Sequence, residues 1–510
     1  MTPPFSYRPV LIADGVRASA QRSPDKVALS LREHALTYRE LVERMNRVSN
    51  LALHGLGLAP GDHAALMAPN CLEFIEIVAG LASVGVPPAM VNPRLTAPEL
   101  AYIANDAGAR ALFVHESLEE LARDADLKTV ERTVVIGAGY EDLLSAAATS
   151  APAVPLAEWD PFCISYTSGT TGNPKGVLLS HRSRSLVFYG MAVEYGCYSP
   201  EDRALAVAPL YHGGGFAFAM APIFFGGTCE ILPRFDPEEL LRVIAEVAIT
   251  NAFMVPTHFN AVFGLGDRVV ARADTSSLRT IISNAAPLPQ ATKVRIVEWL
   301  GDGILHETYG STEGGIITNL RPQDQLRKEQ CVGQPFPCTE VRLLDDDGEE
   351  VPAGEVGEVF NRSPYLFNGY WGLPEATAQA FRDGWLSVGD LARKDDEGHL
   401  YIVDRKNDMI LTGGVNVYPR EIEEVLHEHP AVAEAAVVGV PDDYWGEAVK
   451  AVVALRSGRQ ATSEDIIDFC RHDLAGFKLP KSVDFVGALP RNAAGKVLRR
   501  ELRDAAQARQ

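Results

Sequence analysis

Short apolar runs alternate with segments in which apolar residues recur every three or four positions along residues 35–93. The runs 63–67 and 87–91 have the length of buried strands, and the apolar segment 72–84 between them has the length of a helix. A helix buries its apolar stripe against another element, and a sheet provides that surface. The pattern therefore predicts an α/β fold with layered sheets.

The helix before residue 63 carries its own start signal. Thr37 followed by Glu40 has the sequence of a capping box, in which the two side chains satisfy backbone N–H groups at the start of a helix. Leu41, Met45 and Val48 then recur on one face. We predict a helix that begins near residue 38 and packs on the sheet.

The pattern changes towards the C-terminus. Small residues and prolines at 146–155 predict a long surface connection, after which strands and helices alternate to about residue 344. Turn residues and short alternating strands then predict a small antiparallel, barrel-like subdomain, and Pro419 opens the first helix of a final α+β segment. We predict a large N-terminal domain over residues 1–404 and a small α+β lid domain over residues 405–510.

Composition limits the classes of partner. The chain has 510 residues and is 46% apolar, which is enough for several cores. Its 47 lysine and arginine residues and 67 aspartate and glutamate residues give a formal net charge of −20, which disfavours nucleic acid and anionic lipid as partners. The longest apolar stretches, 77–91 and 216–227, are interrupted and shorter than the roughly 20 residues of a membrane-spanning helix.

Cysteine usage and the terminal segments favour one compartment. The seven cysteines form no CxxC pair, which suits reduced thiols and predicts no zinc site. The first residues lack a basic region followed by an apolar core, and the final AQARQ matches no retention or peroxisomal signal. We expect a cytoplasmic enzyme.

One segment has the composition of a phosphate-binding loop. The sequence YTSGTTGNPKG, residues 166–176, places three glycines, several hydroxyl residues and Lys175 between two apolar strands. Glycines let backbone N–H groups converge on an anion, hydroxyls donate further hydrogen bonds, and lysine adds a full charge. Pro174 and the strand that follows distinguish this loop from a Walker A loop. A flexible hairpin of small residues is the alternative, which the eleven ordered positions disfavour.

The loop resembles the signature of the acyl-adenylate-forming superfamily, which comprises acyl-CoA synthetases, adenylation domains of nonribosomal peptide synthetases, and luciferases. The resemblance extends from about residue 35 to residue 501 and favours the acyl-CoA synthetase branch. Four further segments resemble motifs of that superfamily in the expected order: HETYGSTEGG (306–315), WLSVGD (385–390), DRKNDMILTGGVNVYPREIE (404–423) and PRNAAGK (490–496).

The resemblance implies an ATP site. Glu313, with Thr167, is expected to hold Mg²⁺ beside the phosphates, because a hard cation prefers oxygen ligands. Tyr309 is expected to stack on adenine, and the segment SNAAP (283–287) to line it. Thr312 is expected to donate to the α-phosphate. Asp390 is expected to accept hydrogen bonds from the ribose hydroxyls. The implied ATP- and AMP-binding residues are Thr167, Ser168, Gly169, Thr170, Thr171, Gly172, Lys175, Ser283, Asn284, Ala285, Ala286, Pro287, Glu307, Thr308, Tyr309, Gly310, Ser311, Thr312, Asp390, Arg405 and Lys496.

The resemblance also implies that the C-terminal lid is mobile. Lys496 is similar to a lysine that bridges the substrate carboxylate and the α-phosphate, and Arg405 is similar to an arginine near ribose and phosphate. Gly413 and Gly414 are expected beside a CoA (pantetheine) channel. The hinge position is Asn407, where relatives often have aspartate or lysine. The implied catalytic residues are Lys496, Glu313, Thr167 and Arg405.

The segment APLYHGGGFAFAM, residues 208–220, resembles one wall of the acid pocket. Its small apolar residues indicate a roomy apolar pocket, although core packing is the alternative role for each phenylalanine. No unmatched lysine or arginine lies in residues 210–225, so a second carboxylate has no obvious partner there. The implied acid-pocket residues are Tyr211, His212, Gly213, Phe216, Gly310, Gly314 and Gly315.

The resemblance implies an AMP-forming carboxylic acid–CoA ligase that uses ATP, Mg²⁺ and CoA. The small apolar residues of 208–220 favour a fatty or aryl monocarboxylate as its substrate. An adenylation enzyme that loads a carrier protein, a luciferase-like oxygenase and a non-enzymatic acyl or nucleotide sensor remain alternatives. A binding-only relative would be expected to have lost Glu313, Arg405 or Lys496, and all three are present. A monomer and a homodimer are both compatible with the sequence.

Overall fold

The structure is a computed structural model that describes residues 8–167, 173–413, 415–442, 444–491 and 497–507. Contacts divide the chain into two compact units, the first formed by residues 1–341 and 361–386 and the second by residues 342–360 and 387–510. The predicted α/β architecture, with a large N-terminal part of several sheets and a small C-terminal α+β part, is confirmed. The domain boundary at residues 404 and 405 stays a prediction.

The strands are short, as expected for a layered fold. In chain order they are β1 (Val27–Leu31), β2 (His34–Thr37), β3 (His63–Met67), β4 (Pro88–Val91), β5 (Ala109–His115), β6 (Arg132–Ile136), β7 (Pro161–Thr167), β8 (Lys175–Ser180), β9 (Arg203–Ala206), β10 (Thr228–Ile231), β11 (Asn251–Met254), β12 (Thr280–Ser283), β13 (Leu305–Ser311), β14 (Gly315–Leu320), β15 (Gln334–Pro335), β16 (Glu340–Leu344), β17 (Gly357–Arg362), β18 (Gly369–Tyr370), β19 (Phe381–Arg382), β20 (Trp385–Leu386), β21 (Asp390–Lys394), β22 (Leu400–Arg405), β23 (Ile410–Thr412), β24 (Val415–Val417), β25 (Val432–Asp442), β26 (Gly446–Leu455) and β27 (Ser482–Val486).

The helices are distributed along both units. They are α1 (Ile12–Arg22), α2 (Tyr38–Asn50), α3 (Leu72–Ala82), α4 (Ala97–Asp106), α5 (Glu119–Asp124), α6 (Ala138–Ala146), α7 (His181–Tyr195), α8 (Gly213–Phe225), α9 (Pro237–Val247), α10 (Pro256–Gly264), α11 (Asp267–Val270), α12 (Gln290–Leu300), α13 (Pro374–Ala380), α14 (Pro419–Glu428), α15 (Ser463–Cys470) and α16 (Arg499–Gln507).

Helix α2 shows how the sequence signals produce the fold. The predicted capping box is present, since the Thr37 side chain accepts from the backbone of Glu40 and the Glu40 carboxylate accepts from the backbone of Thr37. Leu41, Met45 and Val48 are fully buried in the largest core of the first unit. The predicted apolar face therefore packs against the body of the protein.

Two large sheets organise the first unit. One has the strand order β18-β8-β7-β4-β3-β5-β6, and the other has the order β15-β14-β13-β12-β11-β9-β10-β1-β2. The inner strands of both are parallel, and the antiparallel partners lie at the edges. Parallel strands with helical connections are buried on both faces, which explains the uninterrupted apolar runs. Within each sheet, the carboxyl ends of the parallel strands lie at one edge, where the connecting loops meet.

The second unit contains two antiparallel arrangements. Residues 357 and 358 of β17 pair with β21, which pairs with β22. The other sheet has the order β24-β23-β26-β25, with β27 parallel to β26. Strands β25 and β26 are longer than the predicted runs 433–440 and 449–455 because they continue as a hairpin to Asp442 and Gly446. Across the part of the chain that the structure describes, no helix is both long and apolar enough to cross a membrane.

Candidate functional site

The phosphate-binding candidate lies between two paired strands. Strand β7 ends at Thr167, strand β8 begins at Lys175, and these two residues face each other in the antiparallel ladder. The strand that follows the lysine is therefore confirmed. Ser168, Gly169, Thr170, Thr171 and Gly172 lie outside the described residues, so their roles stay predictions.

Lys175 and Glu313 are linked through a tyrosine that the motifs did not identify. The Lys175 ammonium lies 5.0 Å from the ring centroid of Tyr370, a cation–π contact. The Tyr370 hydroxyl donates to Glu313 Oε1 at 3.0 Å. Burial, together with the nearby Glu313 carboxylate, raises the pKa of Tyr370, so its hydroxyl stays protonated as a donor. The ring face of Tyr370 thus contacts the cation, and its hydroxyl contacts the carboxylate.

Glu313 has the properties of a single carboxylate ligand for Mg²⁺. Its side chain is half-buried, and its one side-chain partner within the described residues is the neutral Tyr370 hydroxyl. The same part of the chain contains no cluster of three or more histidine, cysteine or acidic residues suited to a metal. Mg²⁺ in nucleotide sites commonly uses one or two carboxylates plus substrate phosphates, and Glu313 fits that arrangement. Thr167 remains a predicted second oxygen ligand.

The two predicted adenine segments meet at adjacent parallel strands. Ser283 ends β12 and faces Glu307 in the ladder with β13. The Asn284 amide then donates to the Thr308 hydroxyl at 2.9 Å. Ala285, in the left-handed region with φ 75°, turns the backbone after Asn284. These contacts bring the SNAAP segment beside HETYG at the carboxyl ends of the strands, while Ala286 and Pro287 are exposed and Tyr309 is half-buried.

Glu307, one of the predicted nucleotide-binding residues, is buried in an ion pair. Lys293 of α12, which is 0% exposed, pairs with the carboxylate of Glu307, which is 4% exposed. The Lys293 ammonium also donates to the Cys331 carbonyl at 3.4 Å. Glu307 Oε1 accepts from the backbone N–H of Leu288 at 3.3 Å. The ion pair therefore ties helix α12 to strand β13, and the hydrogen bond from Leu288 ties the loop after β12 to the same carboxylate.

Replacing Lys293 by methionine is expected to lower the free energy of unfolding by about 3–5 kcal/mol, because it leaves a buried carboxylate without its cation. The midpoint of chemical unfolding, followed by circular dichroism, measures this loss. In the double variant K293M/E307Q no buried charge remains and the amide still accepts from Leu288, so most of the loss should be recovered. A single variant as stable as the wild type would contradict this role for the pair.

Part of the predicted acid-pocket wall comes together around Gly213 at the start of α8. A Cβ atom at Gly213 would lie 3.7 Å from Ser165 Oγ and 3.9 Å from Thr312 Cγ2. His212 stands next to it, and burial, with a smaller contribution from Arg94, lowers the pKa of its imidazole to about 4. His212 is therefore neutral at neutral pH and adds no charge to the pocket wall.

The remaining predicted pocket residues come from two segments of the chain. Tyr211 is buried with its ring 4.6 Å from that of His212. Phe216 is 2% exposed and packs against Phe74 and Phe162 in the main core. The other predicted pocket residues lie at the junction of β13 and β14, where the N–H of Gly314 donates to the Ser311 hydroxyl; these residues are Gly310, Gly314 and Gly315.

In the second unit, Asp390 and Arg405 occupy paired positions on β21 and β22. Arg405 Nε lies 3.1 Å from Asp390 Oδ1, and the Asp390 side chain is buried. Asp404 Oδ1 accepts from the backbone N–H of Arg405 at 2.7 Å. The two residues predicted to contact ribose and phosphate are thus adjacent, and the carboxylate is held beside a cation.

Asn407, the predicted hinge residue, is contacted by the C-terminal helix. Arg503 of α16 donates to the Asn407 carbonyl at 3.2 Å and to Asp408 at 3.0 Å. In the same helix, Arg499 pairs with Glu423. Lys496 precedes this helix and lies outside the described residues. Its assigned role therefore stays a prediction.

The glycine pair of the predicted CoA channel is described only at its first residue. Gly413 has φ 57°, and a Cβ atom there would lie 2.9 Å from the ring of Trp445. Its N–H donates to the Trp445 carbonyl at 2.7 Å. Both the backbone conformation and the close approach favour glycine. Gly414 falls outside the described part of the chain.

Comparison with known families yields two matches that together span most of the sequence. Residues 16–371 match the model of the AMP-binding enzyme family. Residues 421–496 match the model of the AMP-binding enzyme C-terminal domain. The first match alone covers more than half of the chain.

Individual relatives cover almost the full length. A feruloyl-CoA synthase of Amycolatopsis sp is 37% identical over 488 residues, which span 95% of this chain and 96% of the relative. A long-chain-fatty-acid–CoA ligase of Escherichia coli O6:H1 is 34% identical over 537 residues, spanning 97% and 94% of the two chains. Among solved structures, ATP-bound MatB from Rhodopseudomonas palustris superposes with a TM-score of 0.91 at 30% identity, covering 98% of this chain and 99% of that one.

Proposed function

The chain belongs to the AMP-binding enzyme family of AMP-forming acid–thiol ligases, and from this premise we propose that it is a carboxylic acid–CoA ligase acting on a fatty or aryl monocarboxylate through an acyl-adenylate. The residues that we assign to ATP are the ATP- and AMP-binding residues that the resemblance implies. A cytoplasmic location and a homodimer stay predictions.

The observation that carries the proposal is the contact of Lys175, Tyr370 and Glu313 at the end of the β7–β8 hairpin. A carboxylate that attacks ATP meets a second anion, so positive charge and hydrogen-bond donors must be in place before the reaction. Lys175 supplies such a charge beside the glycine loop. Glu313, with Thr167, would hold Mg²⁺, which when bound offsets the negative charge of the phosphates.

The first half-reaction forms a mixed anhydride. An oxygen of the acid carboxylate forms a bond to the α-phosphorus, the bond between the α-phosphorus and its bridging oxygen breaks, and pyrophosphate leaves. We assign Lys496 to the incoming carboxylate and the α-phosphate, and Thr312 to the same phosphate. Asp390 and Arg405 would hold the ribose and phosphate, so that the nucleotide stays in one position while the pyrophosphate departs.

The second half-reaction transfers the acyl group to CoA. The thiol sulfur forms a bond to the acyl carbon and loses its proton, the bond between that carbon and the phosphate oxygen breaks, and AMP leaves. We place Gly413 and Gly414 beside the pantetheine arm because they resemble the glycine pair of the family's hinge motif. Asn407 would be the pivot between the two half-reactions.

Two observations support an apolar monocarboxylate. The wall around Gly213 consists of small and aromatic residues, and His212 is neutral there. The two curated relatives named above act, by their names, on an aryl acid and on long-chain fatty acids. Both kinds of acid have one carboxylate to activate and an apolar body to bury.

A panel of fatty and aryl acids with Mg²⁺ and ATP tests the proposal, with pyrophosphate release and thioester formation as the two readouts. We expect release that depends on the acid, and a CoA thioester when CoA is added. Acyl-adenylate that persists with CoA but is consumed by a phosphopantetheinyl carrier protein would instead identify a carrier-loading enzyme. ATP binding without pyrophosphate release for any acid would overturn the proposed activity.

A further inference from the structure

A buried arginine lies outside the ATP-binding and catalytic sets described above. Arg184 is in the first turn of α7, and it is only 7% exposed. Removing a guanidinium from water is costly unless an anion or several hydrogen-bond acceptors compensate for the lost hydration. The surroundings of Arg184 therefore need to be accounted for.

The protein satisfies only part of the hydrogen-bonding capacity of the Arg184 guanidinium. Nη2 donates to the Tyr365 carbonyl at 2.6 Å, and Nε donates to the Ser183 hydroxyl at 3.4 Å. Both acceptors are neutral, and within the described residues Arg184 forms no ion pair and its Nη1 group has no hydrogen bond. Burial lowers the pKa of Arg184 to about 10, so it remains a cation at neutral pH. Cys163 provides no counter-charge, because burial raises the pKa of its thiol.

Arg184 adjoins the turn that we assign to the acid pocket. A Cβ atom at Gly315 would lie 3.6 Å from Arg184 Nη2 and 2.8 Å from Tyr365 Cβ. Because residue 315 is glycine, it places no side chain of its own between the guanidinium and the β13–β14 turn. Ser311 faces Gly315 across that turn. The partly satisfied cation thus lies beside backbone that the proposed acid would contact.

We propose that Arg184 is a specificity-determining residue that donates hydrogen bonds to an oxygen atom at the end of the acid remote from its reacting carboxylate. The substrate class is then a fatty or aryl monocarboxylate with a distal hydroxyl or phenol oxygen. This inference rests on the proposed function, because it takes the β13–β14 turn as part of the acid pocket. It adds a polar contact that the apolar wall around Gly213 does not provide.

Binding of matched acids, measured by calorimetry in the presence of AMP, tests this role. The pairs are cinnamate with 4-hydroxycinnamate, and octanoate with 8-hydroxyoctanoate and with octanedioate. We expect the wild type to bind an oxygen-bearing member at least about tenfold more tightly than its unsubstituted partner. Tighter binding of octanedioate than of 8-hydroxyoctanoate would contradict the monocarboxylate class.

Variants at two positions in the first turn of α7 distinguish a specific contact with the substrate from a structural role. R184M should remove the preference while binding the unsubstituted acid about as well as the wild type, and R184K should keep part of it. Arg182 lies two residues earlier and pairs with Glu158. The control R182M should therefore leave the preference unchanged. Circular dichroism verifies that each variant is folded.

Equal binding of both members of every pair by the wild type would overturn the inference, as would an unchanged preference in R184M. If R184M does not fold, an unchanged preference in R184K has the same meaning. The same acids in the pyrophosphate assay keep the two proposals distinct. Turnover without any preference defeats the role of Arg184 alone. Absence of turnover with every acid defeats the proposed activity, and the ratio of the affinities for the paired acids then decides the role of Arg184.

Discussion

Replacing Lys496 by alanine is expected to lower the rate of acyl-adenylate formation by about 100-fold to 1,000-fold, because a cation that stabilises charge developing on the phosphorus is removed. The same variant should form thioester from supplied acyl-adenylate at close to the wild-type rate. The lysine is assigned to the first half-reaction only. Pyrophosphate release under single-turnover conditions and thioester formation from synthetic acyl-adenylate measure the two steps separately.

The matched control for Lys496 is Arg500 in the same C-terminal segment. Its side chain is 72% exposed, and its one partner among the described residues is Asp504, at 3.9 Å on the surface. Such a pair contributes little to stability, so R500A should change neither half-reaction by more than about twofold. If K496A slows both half-reactions equally, the role assigned to Lys496 is wrong.

Replacing Glu313 by glutamine is expected to lower the rate of adenylation by about 100-fold and to raise the Mg²⁺ concentration needed for half-maximal rate. The amide is nearly isosteric with the carboxylate and still accepts a hydrogen bond from Tyr370. The loss therefore reports on charge rather than on shape. Initial rates of pyrophosphate release, measured over a range of Mg²⁺ concentrations at saturating acid, give both quantities.

The matched control for Glu313 is Y370F, which removes the hydrogen bond to Glu313 Oε1 and keeps the aromatic face below Lys175. We expect a loss of about tenfold or less, since the carboxylate remains and only its orientation is less restricted. An E313Q variant with wild-type rate and wild-type dependence on Mg²⁺ would remove Glu313 from the site.

Much of the fold follows from local signals that the sequence contains. Thr37 and Glu40 define the start of α2 within a few positions of chain, and the uninterrupted apolar strands follow from burial of a parallel sheet on both faces. The order in which strands assemble into two large sheets does not follow, because it depends on contacts between distant segments. The sequence also does not predict that the chain passes from one compact unit to the other within β17.

The candidate site divides in the same way. Lys175 and Glu313 are visible in the sequence because their motifs have characteristic residues at characteristic spacing. Tyr370, which touches both, belongs to no such motif and becomes recognisable only when β18 pairs with β8. Lys293 and Arg184 were also missed, since a charged residue in a helix is usually on the surface and only the tertiary structure shows that these two are buried.

The central claim is that the acid becomes electrophilic by bonding to the α-phosphorus of ATP. The most direct measurement uses an acid labelled with ¹⁸O in its carboxylate, with ATP, Mg²⁺ and CoA, and determines the mass of the AMP released. The proposed chemistry predicts that each AMP gains one labelled oxygen, because the bond between the acyl carbon and that oxygen breaks when the thiol attacks. Unlabelled AMP, or label found in inorganic phosphate beside ADP, would contradict it.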